Sequence, residues 1–139
     1  MAKTPSVLLA DDDTEDQDLL KEFLLKENPA LTIHAVLNGK EAISWLQNRP
    51  VDELPSLIIL DYKMPLLNAV ETLERLKKDP RYEYIPKIVW STSIQDEHKK
   101  ICLENGAAKY FSKPTSSGEL SSLSKQIIEI ILGGKADKQ

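Results

Sequence analysis

Cysteine is almost absent from this chain of 139 residues, with Cys102 standing alone. One thiol excludes an intrachain disulfide and any metal site built from several cysteines. Its place in a helical stretch gives it a structural reading. Long hydrophobic runs are also missing. No apolar stretch reaches the roughly 20 residues that a bilayer crossing needs. The opening Met1-Ala2-Lys3-Thr4-Pro5 passes straight into a short strand, without a secretory signal. Nor is there an excess of positive charge. The formal net charge is −4, which argues against nonspecific nucleic-acid binding and polybasic membrane attachment. Histidine is scarce, and His34 and His98 are isolated, so they read as structural or surface groups. There is no internal repeat or low-complexity segment. The expectation is one cytoplasmic domain over 1–139, with a core from about 6 to 132, a short C-terminal tail and no attached output domain.

What is present is a soluble globular composition, 41% hydrophobic and 29% charged, sufficient for an unstapled core. Short apolar strands alternate with amphipathic segments five times. The strands are expected near 6–11, 31–37, 57–61, 87–91 and 109–112. The first helix is expected over 14–28, with Leu19, Leu20, Phe23 and Leu24 inward and Thr14 with Gln17 as a capping box. Asn38 with Glu41 opens the second helix, which turns Ala42, Ile43 and Leu46 inward. Asn68 opens the third, with Val70, Leu73 and Leu76 inward. The fourth spans about 94–105. Ser116 with Glu119 opens the fifth, whose core stripe is Leu120, Leu123, Ile127 and Ile130 and whose stop is Gly133-Gly134. Strict alternation of strand and helix implies an α/β protein, a doubly wound five-stranded parallel sheet with five helices.

Three strands end in chemistry. Leu57-Ile58-Ile59-Leu60 delivers Asp61; Val7-Leu8-Leu9-Ala10 delivers Asp11, Asp12 and Asp13; Tyr110-Phe111-Ser112 delivers Lys113-Pro114. Ligands of open α/β sheets bind at that C-terminal edge. Clustered carboxylates repel and call for a counterion. An all-oxygen site for Asp11, Asp12, Asp61 and the Lys63 carbonyl matches Mg²⁺. Asp61 can then act as a nucleophile that forms an acyl phosphate. Lys113 supplies positive charge to the phosphoryl oxygens, and Ser91, favoured over Thr92, a hydrogen bond. Asp13 reads as a helix-start charge.

This constellation resembles the receiver domain of two-component response regulators. The resemblance rests on Asp11-Asp12, Asp61, Met64-Pro65, Ser91 and Lys113-Pro114 at the family's spacings, and covers nearly the whole chain. It implies a flavodoxin-like sheet of strand order 2-1-3-4-5, with Asp61 as phospho-acceptor, Ser91 and Tyr110 as switch residues, and a cis Lys113-Pro114 peptide. It also implies a sensor histidine kinase or phosphotransfer protein as donor. Signal output is implied through the helix 4–strand 5–helix 5 face, including Ile94, Lys109, Tyr110 and Leu120, toward a protein target or a second copy. Catalysis would extend only to the chain's own phosphorylation and dephosphorylation. The loop after the second helix resembles that of regulators serving phytochrome-type kinases. Two positions depart from the pattern or vary within it: Ala69 stands where the family usually has glycine, and Lys63 occupies a variable place.

Two other functions fit parts of the pattern. A phosphatase of the haloacid dehalogenase type also forms an aspartyl phosphate, but Glu15 stands where its motif needs Thr or Val. A non-phosphorylated receiver-like docking module has no need of the Asp61, Lys113 and acidic-pair set.

Overall fold

Every residue of Leu57–Asp61 is buried, as expected of a central strand covered on both faces. The computed structural model describes residues 4–133. Its strands are β1 Ser6–Ala10, β2 Thr32–Val36, β3 Leu57–Asp61, β4 Lys87–Ser91 and β5 Lys109–Ser112, and its helices are α1 Thr14–Glu27, α2 Gly39–Gln47, α3 Ala69–Lys77, α4 Asp96–Glu104 and α5 Ser117–Gly133. All strands pair in parallel, in the order β2-β1-β3-β4-β5. This is the doubly wound arrangement expected from strand–helix alternation.

Side-chain alternation splits the core in two. Leu8, Ala10, Ile58, Leu60 and Val89 face α2, α3 and α4 with Ala42, Leu46, Leu73, Leu76 and Cys102. Val7, Leu9, Leu57, Ile59, Ile88 and Trp90 face α1 and α5 with Leu20, Leu24, Leu120, Leu123 and Ile127. Burial pushes the Cys102 thiol up to about 11, so it stays protonated and packs as a small apolar group.

The structure corrects several local expectations. Leu19 is exposed, and Phe23 and Ile130 are only partly buried, because the inward stripes are narrower than the apolar patterns. Asp13, not Thr14, caps α1, accepting from the Glu15 and Asp16 amides at 3.0 and 3.1 Å. Its carboxylate at a helix N-terminus outcompetes a neutral hydroxyl. Gln17 is thereby free to turn inward. Its Nε2 donates to the carbonyls of Asp11 and Val36, both at 2.7 Å, tying the ends of β1 and β2 together. The caps of the next helices follow expectation. Asn68 and Glu71 form a reciprocal capping box, and the Glu41 amide bonds Asn38 Oδ1 at 2.8 Å. Gly133 is the last residue of α5; Gly134 and the tail lie outside the described residues.

The peptide before Pro114 is trans; no described peptide is cis. Trans is the lower-energy form before proline by about 0.5–1 kcal/mol, and Lys113 reaches the site without the alternative. Ala69 is accommodated because the left-handed backbone falls elsewhere, at Leu66 with φ 69°. Leu67 N donates to Pro65 O at 2.7 Å, closing a tight turn around Leu66. Such a conformation costs a non-glycine residue on the order of 1 kcal/mol.

Candidate functional site

β1, β3 and β5 end side by side with β4, and their last residues converge on a pocket of about 590 Å³. Its lining includes Asp12, Asp16, Asp61, Lys63, Ser91, Thr92, Ser93, His98 and Lys113. Asp11 is fully buried, Asp61 is 7% exposed, and Asp12 is exposed. Ligand oxygens of Asp11, Asp12 and Asp61 lie within 4.8 Å of one another. Lys113 Nζ stands 2.9 Å from Asp11 Oδ2, 2.8 Å from Asp16 Oδ2 and 3.6 Å from Asp61 Oδ2. Its position is set from the backbone: the Lys113 amide donates to Ser91 O at 2.7 Å. The ammonium also lies 4.9 Å from the centre of the Trp90 ring.

Electrostatics follow from the crowding. Burial, and then the charge of Asp11, push the Asp61 carboxyl up to about 7 against the pull of Lys113. Burial also raises the Asp11 carboxyl, although Lys113 and the Asp13 amide oppose it. Burial disfavours the Lys113 ammonium, yet hydrogen bonds to Asp16 and Asp11 outweigh it and hold that group raised. Asp11 Oδ2 has one cationic neighbour, the Lys113 ammonium at 2.9 Å, which it shares with Asp16 and Asp61. A buried carboxylate oxygen left in this state, within a cluster of carboxylates, is what a hard divalent cation stabilises. The donor set therefore fits Mg²⁺ or Mn²⁺ by both charge and chemistry.

The structure brings together Asp11, Asp12, Asp61, Lys63, Ser91 and Lys113. Tyr110 stands beside the pocket, half-buried. A chain of contacts joins it to Ser91. Ser93 N donates to Ser91 Oγ at 3.0 Å, Tyr110 Oη donates to Ser93 O at 3.1 Å, and Ser93 Oγ lies 2.6 Å from His98 Nδ1. The His98 ring stacks on Tyr62 with centroids 4.2 Å apart. Three of these residues escaped the sequence reading. Asp16 looks like an ordinary acidic residue in a first helical turn. Ser93 lies in a loop with no pattern, and His98 is a lone histidine on a polar helix. Only the fold brings them to the pocket.

An open parallel sheet in the order β2-β1-β3-β4-β5, with a carboxylate cluster and one buried lysine at its C-terminal edge, is a doubly wound α/β module of the flavodoxin-like type. The profile of the response regulator receiver domain matches residues 7–125, and the chain belongs to that family. It is 31% identical over 124 residues to the two-component response regulator ORR5 of rice, Oryza sativa, covering 89% of each chain. Among solved structures it resembles the phosphorylated cyanobacterial phytochrome response regulator RcpA, at 27% identity and TM-score 0.84, covering 94% of this chain and 95% of that one. The Mn²⁺-bound form of response regulator Rcp1 is similar at 25% identity and TM-score 0.78, covering 90% and 92%. A receiver domain is a signalling domain rather than a conventional enzyme. Among the described residues, no helix is long and apolar enough to cross a membrane.

Proposed function

We propose that the chain accepts a phosphoryl group on Asp61 from the phosphohistidine of a sensor kinase or phosphotransfer protein. It then relays the signal by altering a protein-binding surface. In the transfer, an Asp61 carboxylate oxygen bonds phosphorus as the donor's phosphorus–nitrogen bond breaks, and the electron pair stays on the imidazole nitrogen. The observation that carries this reading is the meeting of Asp61, Lys113 and the Asp11–Asp12 pair in one pocket.

Asp11, Asp12 and Asp61 would hold Mg²⁺, which supplies charge neutralisation to the phosphoryl oxygens when bound. The Mn²⁺-bound neighbour supports that assignment. The Lys63 carbonyl is the natural fourth protein ligand, two residues past the acceptor. Lys113 carries the ammonium that pairs with a phosphoryl oxygen, and Ser91 Oγ donates to another. The haloacid dehalogenase reading loses its ground, because that motif needs its nucleophile after β1 rather than β3 and the chain is a receiver domain.

Output follows from the contacts at Ser93. If Ser91 Oγ moves toward a phosphoryl oxygen, the Ser93 amide bound to it is drawn along, and Tyr110 and His98 must adjust. The surface affected is α4, β5 and the start of α5. Ile94 is 83% exposed there, and Lys109 is also exposed. Leu120, expected on that face, is instead buried, because it begins the inward stripe of α5.

The test is incubation with Mg²⁺ and acetyl phosphate, read by intact mass and backbone NMR. Wild type should gain one phosphoryl unit and Asp61→Asn none. Ser91→Ala should keep the adduct but lose the accompanying shifts on α4 and β5. A full adduct on Asp61→Asn refutes the acceptor assignment. Unaltered shifts in Ser91→Ala refute the switch.

A further inference from the structure

Lys113 is held mainly by residues other than the proposed acceptor. Its Nζ is 3.6 Å from Asp61 but 2.8 Å from Asp16, a side chain on the first turn of α1. Asp16 is outside the cluster of possible metal ligands, Asp11, Asp12 and Asp61. Its carboxylate is one-third exposed, whereas the lysine is almost wholly buried. Asp16 is placed by its own backbone: its amide bonds the Asp13 carboxylate at 3.1 Å, which fixes the helix start under the ammonium.

We propose that Asp16 is a positioning residue that stores the Lys113 ammonium and competes with the phosphoryl group for it. The proposal rests on Asp61 being the acceptor. A divalent cation held by Asp11 and Asp61 would weaken the contacts of Lys113 with those two carboxylates. Asp16, which is not among the possible cation ligands, would then remain the main partner of the ammonium. The ammonium must then divide its donors between Asp16 and the incoming phosphoryl oxygens. Asp16 thus sets how tightly the pocket holds a phosphoryl dianion, both when the donor binds and while the adduct lasts.

Asp16→Asn keeps the shape and one acceptor oxygen but removes the charge. Acetyl phosphate with Mg²⁺ should then half-saturate Asp61 phosphorylation at a concentration about three- to tenfold lower, with the maximal rate little changed. The adduct should last longer by a similar factor, because a neutral amide oxygen competes for Lys113 less strongly than a carboxylate. Trp90 emission should change in the unphosphorylated variant, since the ammonium 4.9 Å from its ring is held less tightly by a neutral partner. Asp16→Glu should restore values near wild type. A role confined to helix stability would lower the melting temperature without moving half-saturation or lifetime. Half-saturation and lifetime within twofold of wild type in Asp16→Asn, or a shortened lifetime, overturn the proposal. A wild-type chain that takes no phosphate at all instead defeats the acceptor reading, so the two failures are separable.

Discussion

Raising the pH of the metal-free protein from about 5 to about 8 is expected to lower its unfolding free energy through Asp61, and millimolar Mg²⁺ is expected to restore it. The Asp61 carboxyl is pushed from 3.8 to about 7 by burial and then by Asp11. A group whose pKa is raised on folding binds its proton more tightly in the native state. Its stabilising contribution is complete below 3.8 and is lost as pH climbs through about 7. At about 1.4 kcal/mol per pH unit, the loss between pH 5 and 8 is on the order of 2–3 kcal/mol. Asp61→Asn removes the titrating group and should flatten that part of the profile. Mg²⁺ held by the ionised carboxylates of the folded state would, at a hundredfold excess over its dissociation constant, return about 2.7 kcal/mol. The measurement is urea unfolding at both pH values, in chelator and in Mg²⁺, for wild type and Asp61→Asn. Identical pH slopes for the two proteins in chelator would show that Asp61 is not the strained carboxyl.

Gly39→Ala should be among the most damaging single-methyl changes in the chain. Gly39 opens α2, and its amide donates to Leu67 O at 3.2 Å. A Cβ there would stand 2.0 Å from Thr72 Oγ1, 2.6 Å from Leu67 O and 2.8 Å from Leu67 Cβ. Thr72 is fully buried and bonds the Asn68 carbonyl at 2.7 Å, so it has little room to yield. The loop carrying Leu67 must shift instead, at about 2–3 kcal/mol or more. That loop runs from the acceptor strand into α3, so the damage should reach the site. Thermal unfolding should show a drop in midpoint of about 10 °C or more, and Mg²⁺ affinity should fall with it. A variant as stable as wild type would mean that α2 can retreat from the loop without strain.

The fold was legible because its main signals are local. Two apolar runs ending in aspartate, and strand–helix alternation with Asn-started helices, leave few topologies open. The acidic pair, Asp61, Ser91 and Lys113 were legible because strand ends in such sheets must share an edge. The illegible parts depend on contacts between distant segments. Asp13 looked like one charge among several until its carboxylate was seen to cap α1. Gln17 looked like a capping residue because spacing cannot say which way a side chain turns. Gly39 carried no turn signal; its need for a hydrogen side chain arises from Leu67 and Thr72, far along the chain. Leu120 is expected both on the apolar stripe of α5 and on the output face; the structure keeps the first and excludes the second, because helical angle and not membership of the element decides exposure.

If Ser91 and Tyr110 form a switch, the contacts at Ser93 would make its resting state only modestly favoured. Freeing it from Tyr110 and His98 breaks two hydrogen bonds, worth about 1 kcal/mol each net. Roughly 2 kcal/mol corresponds to a released loop populated at a few per cent. A charged hydrogen bond from Ser91 to a phosphoryl oxygen contributes about 1.5–3 kcal/mol, enough to bring the two loop positions near parity and not enough to make the change absolute. The domain would then act as a rheostat whose setting a bound partner completes. Relaxation dispersion at Ser93 and Tyr110 would measure that minor population directly; its absence in the unphosphorylated protein would mean that the loop is held by more than these two bonds.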